Sequence, residues 1–101
     1  MQTFNELEFV PQIDEDTLLQ LQAMHKSHPW QWYRAIMKFP NGHHISVVKS
    51  SKDWYGDGRV YEIAIMKDGS FCENEDGYEQ IYGMIGPDEV TEIMREVQAR
   101  Q

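Results

Sequence analysis

Cysteine occurs once, at Cys72, so no disulfide can form within the chain, and covalent cross-links cannot supply its stability. No apolar run approaches the roughly 18 to 20 residues that a bilayer-spanning helix needs. Positive charge is scarce, with 9 Lys and Arg against 17 Asp and Glu, for a net charge of −8. That balance argues against general nucleic-acid binding, which requires a basic face to neutralise phosphates. The opening "MQTFNELEFV" holds two acids and no base, which excludes the basic start of a signal or transit peptide. Repeats, low-complexity tracts and interdomain linkers are also missing. What remains is 101 residues, 41% hydrophobic and 12% aromatic, enough for one modest core. The expectation is a single domain over 1–101, with 1–12 as a flexible N-terminal segment, in a cytoplasmic protein without cofactor.

The elements follow from periodicity. Asp14 suits a helix N-cap, with Glu15 and Asp16 at the positive end of the dipole. Leu18, Leu21 and Met24 then share a stripe, Leu19 lies off it, and Pro29 ends the helix near His28. "WYRAIMKF" alternates, with Tyr33, Ala35, Met37 and Phe39 on one side and Trp32, Arg34, Ile36 and Lys38 on the other. "PNG" turns it back into "HHISVVK". "RVYEIAIM" sets Tyr61, Ile63 and Ile65 against Val60, Glu62, Ala64 and Met66, and "KDG" leads into "SFCE" as a second hairpin. "QIYGMI" can add a short fifth strand. Pro87 fits the first position of a last helix, followed by Asp88 and Glu89. Val90, Ile93, Met94 and Val97 give that helix one apolar stripe, and Glu96 to Arg100 is a favourable i, i+4 pair. The expected class is α+β: an antiparallel sheet of four or five strands in meander order, with an N-terminal and a C-terminal helix packed on it.

The run "YRAIMKFPNGHHISVVK", the Tyr-Gly-containing link after it, "GRVYEIAIMKDGSFCE" and "IYGMIGPDEVTEIMREVQ" resemble small uncharacterised proteins of bacteriophages and prophages. The resemblance spans roughly residues 33–98 and rests on turns and core positions. This chain departs from the pattern at "GPDE", where a Thr or Ser cap is expected, and in its added N-terminal segment. The resemblance implies a hairpin-rich α+β domain of mobile-element origin and carries no activity with it.

Residues that could carry chemistry are few. His25 and His28 are spaced H-x₂-H, and His43 and His44 adjoin a turn; with Cys72 these could supply the nitrogen and sulfur donors of a zinc site. Neighbouring strand residues point to opposite faces, however, so His43 and His44 cannot both serve one ion, and His25 falls on the apolar stripe. Asp53, Asp57 and Gly58, and likewise "NEDGYE", lack the spacing of a calcium loop and read as solvated turns. Cys72 with His43 or His44 could form a nucleophile–base pair, yet no basic neighbour in sequence activates the thiol. Nucleophile-elbow, phosphate-loop and dinucleotide motifs are missing.

Two features point to binding instead. "SSKDWYGDG", Ser50 to Gly58, is longer than a hairpin requires and carries Trp54 and Tyr55, residue types that anchor interfaces. Trp30, Trp32 and Tyr33 form another aromatic group. The acids are segregated: all eight charges between Lys67 and Arg95 are negative, Glu75 and Asp76 among them. The leading expectation is a non-enzymatic protein-binding or inhibitory module, in one version an acidic mimic of nucleic acid. Its partner would be a bacterial host or phage protein with a basic surface, and Asp53, Trp54, Tyr55, Asp57, Glu75 and Asp76 would form the contact. The alternative is a small metalloprotein or enzyme using His25, His28, His43, His44 and Cys72.

Overall fold

Period-two alternation in the middle of the chain and a 3.6-residue stripe at its end produce an α+β fold. The computed structural model describes residues 2–12, 19–20, 32–50 and 56–101. A 3₁₀ turn at Phe4–Glu6 precedes strands β1 (Val10–Pro11), β2 (Trp32–Lys38), β3 (His43–Ser50), β4 (Tyr61–Lys67), β5 (Ser70–Phe71) and β6 (Ile81–Ile85), and helix α1 (Pro87–Gln98) follows. The sheet is antiparallel in the order β1-β2-β3-β4-β5. β6 returns to β4 and shares its free edge with β5: Phe71 pairs with Met66, while Ile85 pairs with Tyr61. Of the helix expected from Asp14 to His28, only Leu19 and Gln20 fall among the described residues; both are helical and exposed. No helix among the described residues is long and apolar enough to cross a membrane.

Strand alternation divides the sheet into two unlike faces. On the inner face Ala35, Ile45, Val47, Ile63 and Ile65 are at most 1% exposed, and Val90, Met94 and Val97 of α1 close over this side of the sheet. Ile93, expected as a fourth anchor, is only partly buried at the margin of that contact. Pro87 opens the helix after Gly86, and Asp88 and Glu89 stand in its first turn, so the dipole is served without a side-chain cap. Arg100 grips Glu96 with two nitrogens, at 3.0 and 2.8 Å, and reaches Gln80 Oε1 at 2.8 Å.

The first two hairpins turn by different chemistry. At Asp68–Gly69 both residues have positive φ, 52° and 82°, and Lys67 pairs with Ser70, which is the two-residue turn that matches strand twist. "PNG" instead makes a three-residue turn in which Gly42 alone takes positive φ and donates to Phe39 O. Asn41 therefore serves a second purpose. Its Nδ2 donates to Val97 O and Arg100 O, both at 2.9 Å, while its Oδ1 accepts from His43 N at 3.1 Å. One amide thus ties the β2–β3 turn to carbonyls in the last turn of α1 and just beyond it.

In the N-terminal segment Phe4, Leu7 and Phe9 pack against the core, while Val10 and Pro11 pair with β2 and stay exposed. Gln2 and Gln98 exchange two amide hydrogen bonds, 2.9 and 2.8 Å, and Phe4 N donates to Thr91 Oγ1 at 3.2 Å. Phe4 meets Tyr61 edge-on at 5.0 Å, and Phe9 lies 5.8 Å from the same ring. Leu7 completes this strap against the core. Its three apolar residues follow neither a strand nor an α-helical period, which is why composition alone suggested a free end.

β6 carries a bulge. Between Tyr61↔Ile85 and Ile63↔Tyr82 the register shifts, so Gly83 and Met84 together oppose Glu62. Met84 holds φ 57°, a conformation unfavourable for a side chain by about 1–2 kcal/mol.

The helix contact makes two stability predictions. Met94→Ala should cost about 2–5 kcal/mol in urea unfolding, and Ile93→Ala clearly less, because only the first empties a filled core site. Asn41→Ala should cost about 1–3 kcal/mol by leaving Arg100 O and His43 N without a partner, while Val97 O keeps its bond from Arg100 N. Equal losses for Met94 and Ile93, or an unchanged midpoint for Asn41→Ala, would contradict the packing described.

Candidate functional site

After Phe71 the chain leaves the edge of β4. Cys72 N still donates to Ile65 O, but Cys72 O accepts from Gln80 N. Among the described residues, 73–79 bond with one another and, through Glu79 O, with the adjoining Ile81 N. Asn74 and Tyr78 bond through their backbones at 2.8 Å, and Gly77 N closes the turn on Asn74 O. Asn74 Oδ1 accepts from Asp76 N and Tyr78 N, both at 3.0 Å, the local bonding that suits Asn to a turn. The result is an arm off the sheet edge. "NEDGYE", which read as a solvated turn, is the tip of this hairpin.

The arm's side chains share one character. Glu73, Glu75, Asp76 and Glu79 are all exposed, and Tyr78 is 72% exposed. Glu73 stands directly across from Glu79. Like charges in that relation destabilise a hairpin by about 0.2–1 kcal/mol, so local folding does not favour this pair. At the arm's base, Tyr82 stands 41% exposed in a recess of about 410 Å³ between β6 and α1, with Gln80, Glu92, Ile93, Glu96 and Arg100 around it. Neither the Tyr78 nor the Tyr82 hydroxyl makes a hydrogen bond among the described residues. Glu75 and Asp76, expected as binding carboxylates, lie exposed in the turn of this arm. The two tyrosines beside them were missed; only their spacing across an acidic turn hinted at them.

The other expected site residues do not converge. Asp53, Trp54 and Tyr55 lie outside the described residues, as do His25, His28 and Trp30. Asp57 is engaged locally: its carboxylate accepts from Arg59 N at 3.2 Å and Arg59 Nε at 2.7 Å. Slight desolvation pushes its pKa up, and the hydrogen bonds and charge of Arg59 outweigh that effect, leaving the carboxyl below its ordinary value. His43 is buried on the inner face with its Nδ1 unpartnered, whereas His44 faces outward. Cys72 packs against the core and makes no hydrogen bond to either imidazole. Among the described residues no three His, Cys, Asp or Glu side chains gather as ion ligands. The Tyr61 hydroxyl is pushed up in pKa by burial under the N-terminal strap, a structural effect away from the arm.

The outer face of the sheet is the second open surface. Ile36, Val48, Ala64, Met66, Phe71 and Ile81 line a shallow depression of about 430 Å³ there. Arg34 and Lys38 stand along its β2 side and Glu62 on β4. Ile36 is 62% exposed.

No protein-family model, curated protein or solved structure matches this chain.

Proposed function

We propose that the chain is a non-enzymatic protein-binding module that presents the 73–79 arm and the neighbouring side of α1 to a basic surface on another protein. The carrying observation is the Glu73–Glu79 pair. A hairpin selected only to fold would not set two carboxylates directly opposite each other, and local rules are most often broken at working sites. A basic partner would turn that repulsion into attraction. Glu75, Asp76 and Glu92 extend the acidic field, which speeds encounter and deters phosphate-bearing ligands. Tyr78 and Tyr82 supply amphipathic anchors with free hydroxyls at low entropic cost. The resemblance to small phage proteins supports an inhibitor of a bacterial or phage protein, working in the bacterial cytoplasm. The carboxylate-lined arm is compatible with mimicry of a nucleic-acid backbone.

Two variants separate binding from folding. Glu79→Lys should slow amide exchange within the arm, because an opposite-charge pair replaces a like-charge one, while weakening capture of basic proteins from bacterial lysate. The triple change Glu75→Gln/Asp76→Asn/Tyr78→Ala should melt like the parent protein and lose the captured partner. Capture by the parent should also weaken at high salt, since exposed charges are screened. With the partner purified, the two carboxylate changes should lower the association rate and Tyr78→Ala should raise the dissociation rate. Undiminished, salt-insensitive capture by the triple variant would sink the assignment.

A further inference from the structure

On the outer face, strand register arranges the side chains in rows. Arg34, Val48 and Glu62 form one row; Ile36, Ser46, Ala64 and Ile81 the next; Lys38, His44, Met66 and Phe71 the third. β3 runs through the middle, with Arg34 one strand to one side and Glu62 one strand to the other. Neither Arg34 nor Glu62 forms an ion pair among the described residues.

This grid is complementary to itself. A two-fold axis lying along β3, between two facing sheets, carries β2 of one copy over β4 of the other. Arg34 then meets the Glu62 position of the second copy, and Glu62 meets its Arg34, giving two ion pairs on either side of a Val48–Val48 contact. In the next row the protruding Ile36 of each copy lies over the small Ala64 of the other, with Ser46 leaving room at the axis. In the third row Lys38 lays its stem on Met66. Face-to-face sheets pack about 10 Å apart, a separation these side chains can fill. With strands about 4.8 Å apart and same-face rows about 7 Å apart, the face covers roughly 20 by 20 Å, about 400 Å² per copy, the size of a weak, concentration-dependent contact. We infer that the outer face of this sheet is the interface of a homodimer, in which Arg34 of each copy pairs with Glu62 of the other across a two-fold axis along β3. α1 packs on the opposite face and residues 73–79 are not among those lining this one, so a dimer would present two acidic arms.

The symmetry gives a test that no other use of the face would pass. Arg34→Glu sets glutamate against glutamate at both pair positions of a homodimer, and Glu62→Arg sets arginine against arginine. Each variant alone should sediment at the monomer mass of 11.9 kDa across a micromolar to submillimolar series. The parent should reach twice that mass. An equimolar mixture of the two variants should also reach it, because every pair in the mixed dimer is Glu with Arg. Circular dichroism of each variant should match the parent, since both positions are exposed. Melting temperatures should agree at dilutions where the parent is monomeric and fall below the parent's where it is dimeric. A parent protein monomeric throughout the series, variants that remain dimeric, or a mixture that stays monomeric would each overturn the assignment.

Discussion

The ladder between β3 and β4 carries the rest of the molecule. Ile45 faces Ile65 and Val47 faces Ile63 on the inner side, and all four are sealed from solvent by α1. β2 joins the ladder by pairing with β3, and β5 and β6 join it by pairing with β4. The N-terminal strap depends on Tyr61, which belongs to the same ladder. Side-chain period in a strand is two, so a slip of one residue would bring Ser46, Val48, Glu62 and Ala64 under the helix. The register is specified by this contrast more than by the connection between the strands, which is long. Burial of aliphatic area in one register, and of hydroxyl and carboxylate in the other, leaves a single stable pairing.

Coverage is unequal, and that inequality arranges the surface. Among the described residues the inner face receives both α1 and the strap, through Val90, Met94, Val97, Phe4, Leu7 and Phe9. The outer face keeps apolar side chains in the open, bounded by Arg34, Lys38 and Glu62. Acidic groups concentrate on the arm and on the outward side of α1. Stability and recognition are thereby assigned to different residues: aliphatics under the helix hold the fold, and exposed aromatics and carboxylates remain free for contact. Asn41 is an exception to this division, since a turn residue also closes the helix terminus.

Much of this was legible in the residues alone. Alternation in "WYRAIMKF", "HHISVVK" and "RVYEIAIM" marked β2, β3 and β4 because each strand buries one face and exposes the other. Pro87 marked the start of α1 because proline loses no hydrogen bond there. Long-range constraints were less readable. Nothing local to Asn41 announces bonds to Val97 and Arg100, which are more than fifty positions away. The segment 2–12 is held by Gln98, Thr91 and Tyr61, none of them near it in sequence. The bulge at Gly83 and Met84 also escaped notice, because "IYGMI" alternates acceptably without it. For the site, carboxylate segregation drew attention to Glu75 and Asp76, but charge density does not indicate a hairpin or show that Tyr78 and Tyr82 flank it.

The independence of the arm has a consequence for how such a protein can change. Apart from the bond from Ile81 N to Glu79 O, residues 73–79 bond among the described residues only with one another, and the core residues Ile65 and Ile85 are satisfied without them. Opening of the arm therefore need not involve opening of the sheet, and it belongs to the least protected tier of a folded domain. Lengthening, shortening or recharging it leaves the ladder, the helix seat and the strap untouched. This stretch can therefore diverge while the scaffold stays the same, much as an antibody framework tolerates any loop its ends can hold.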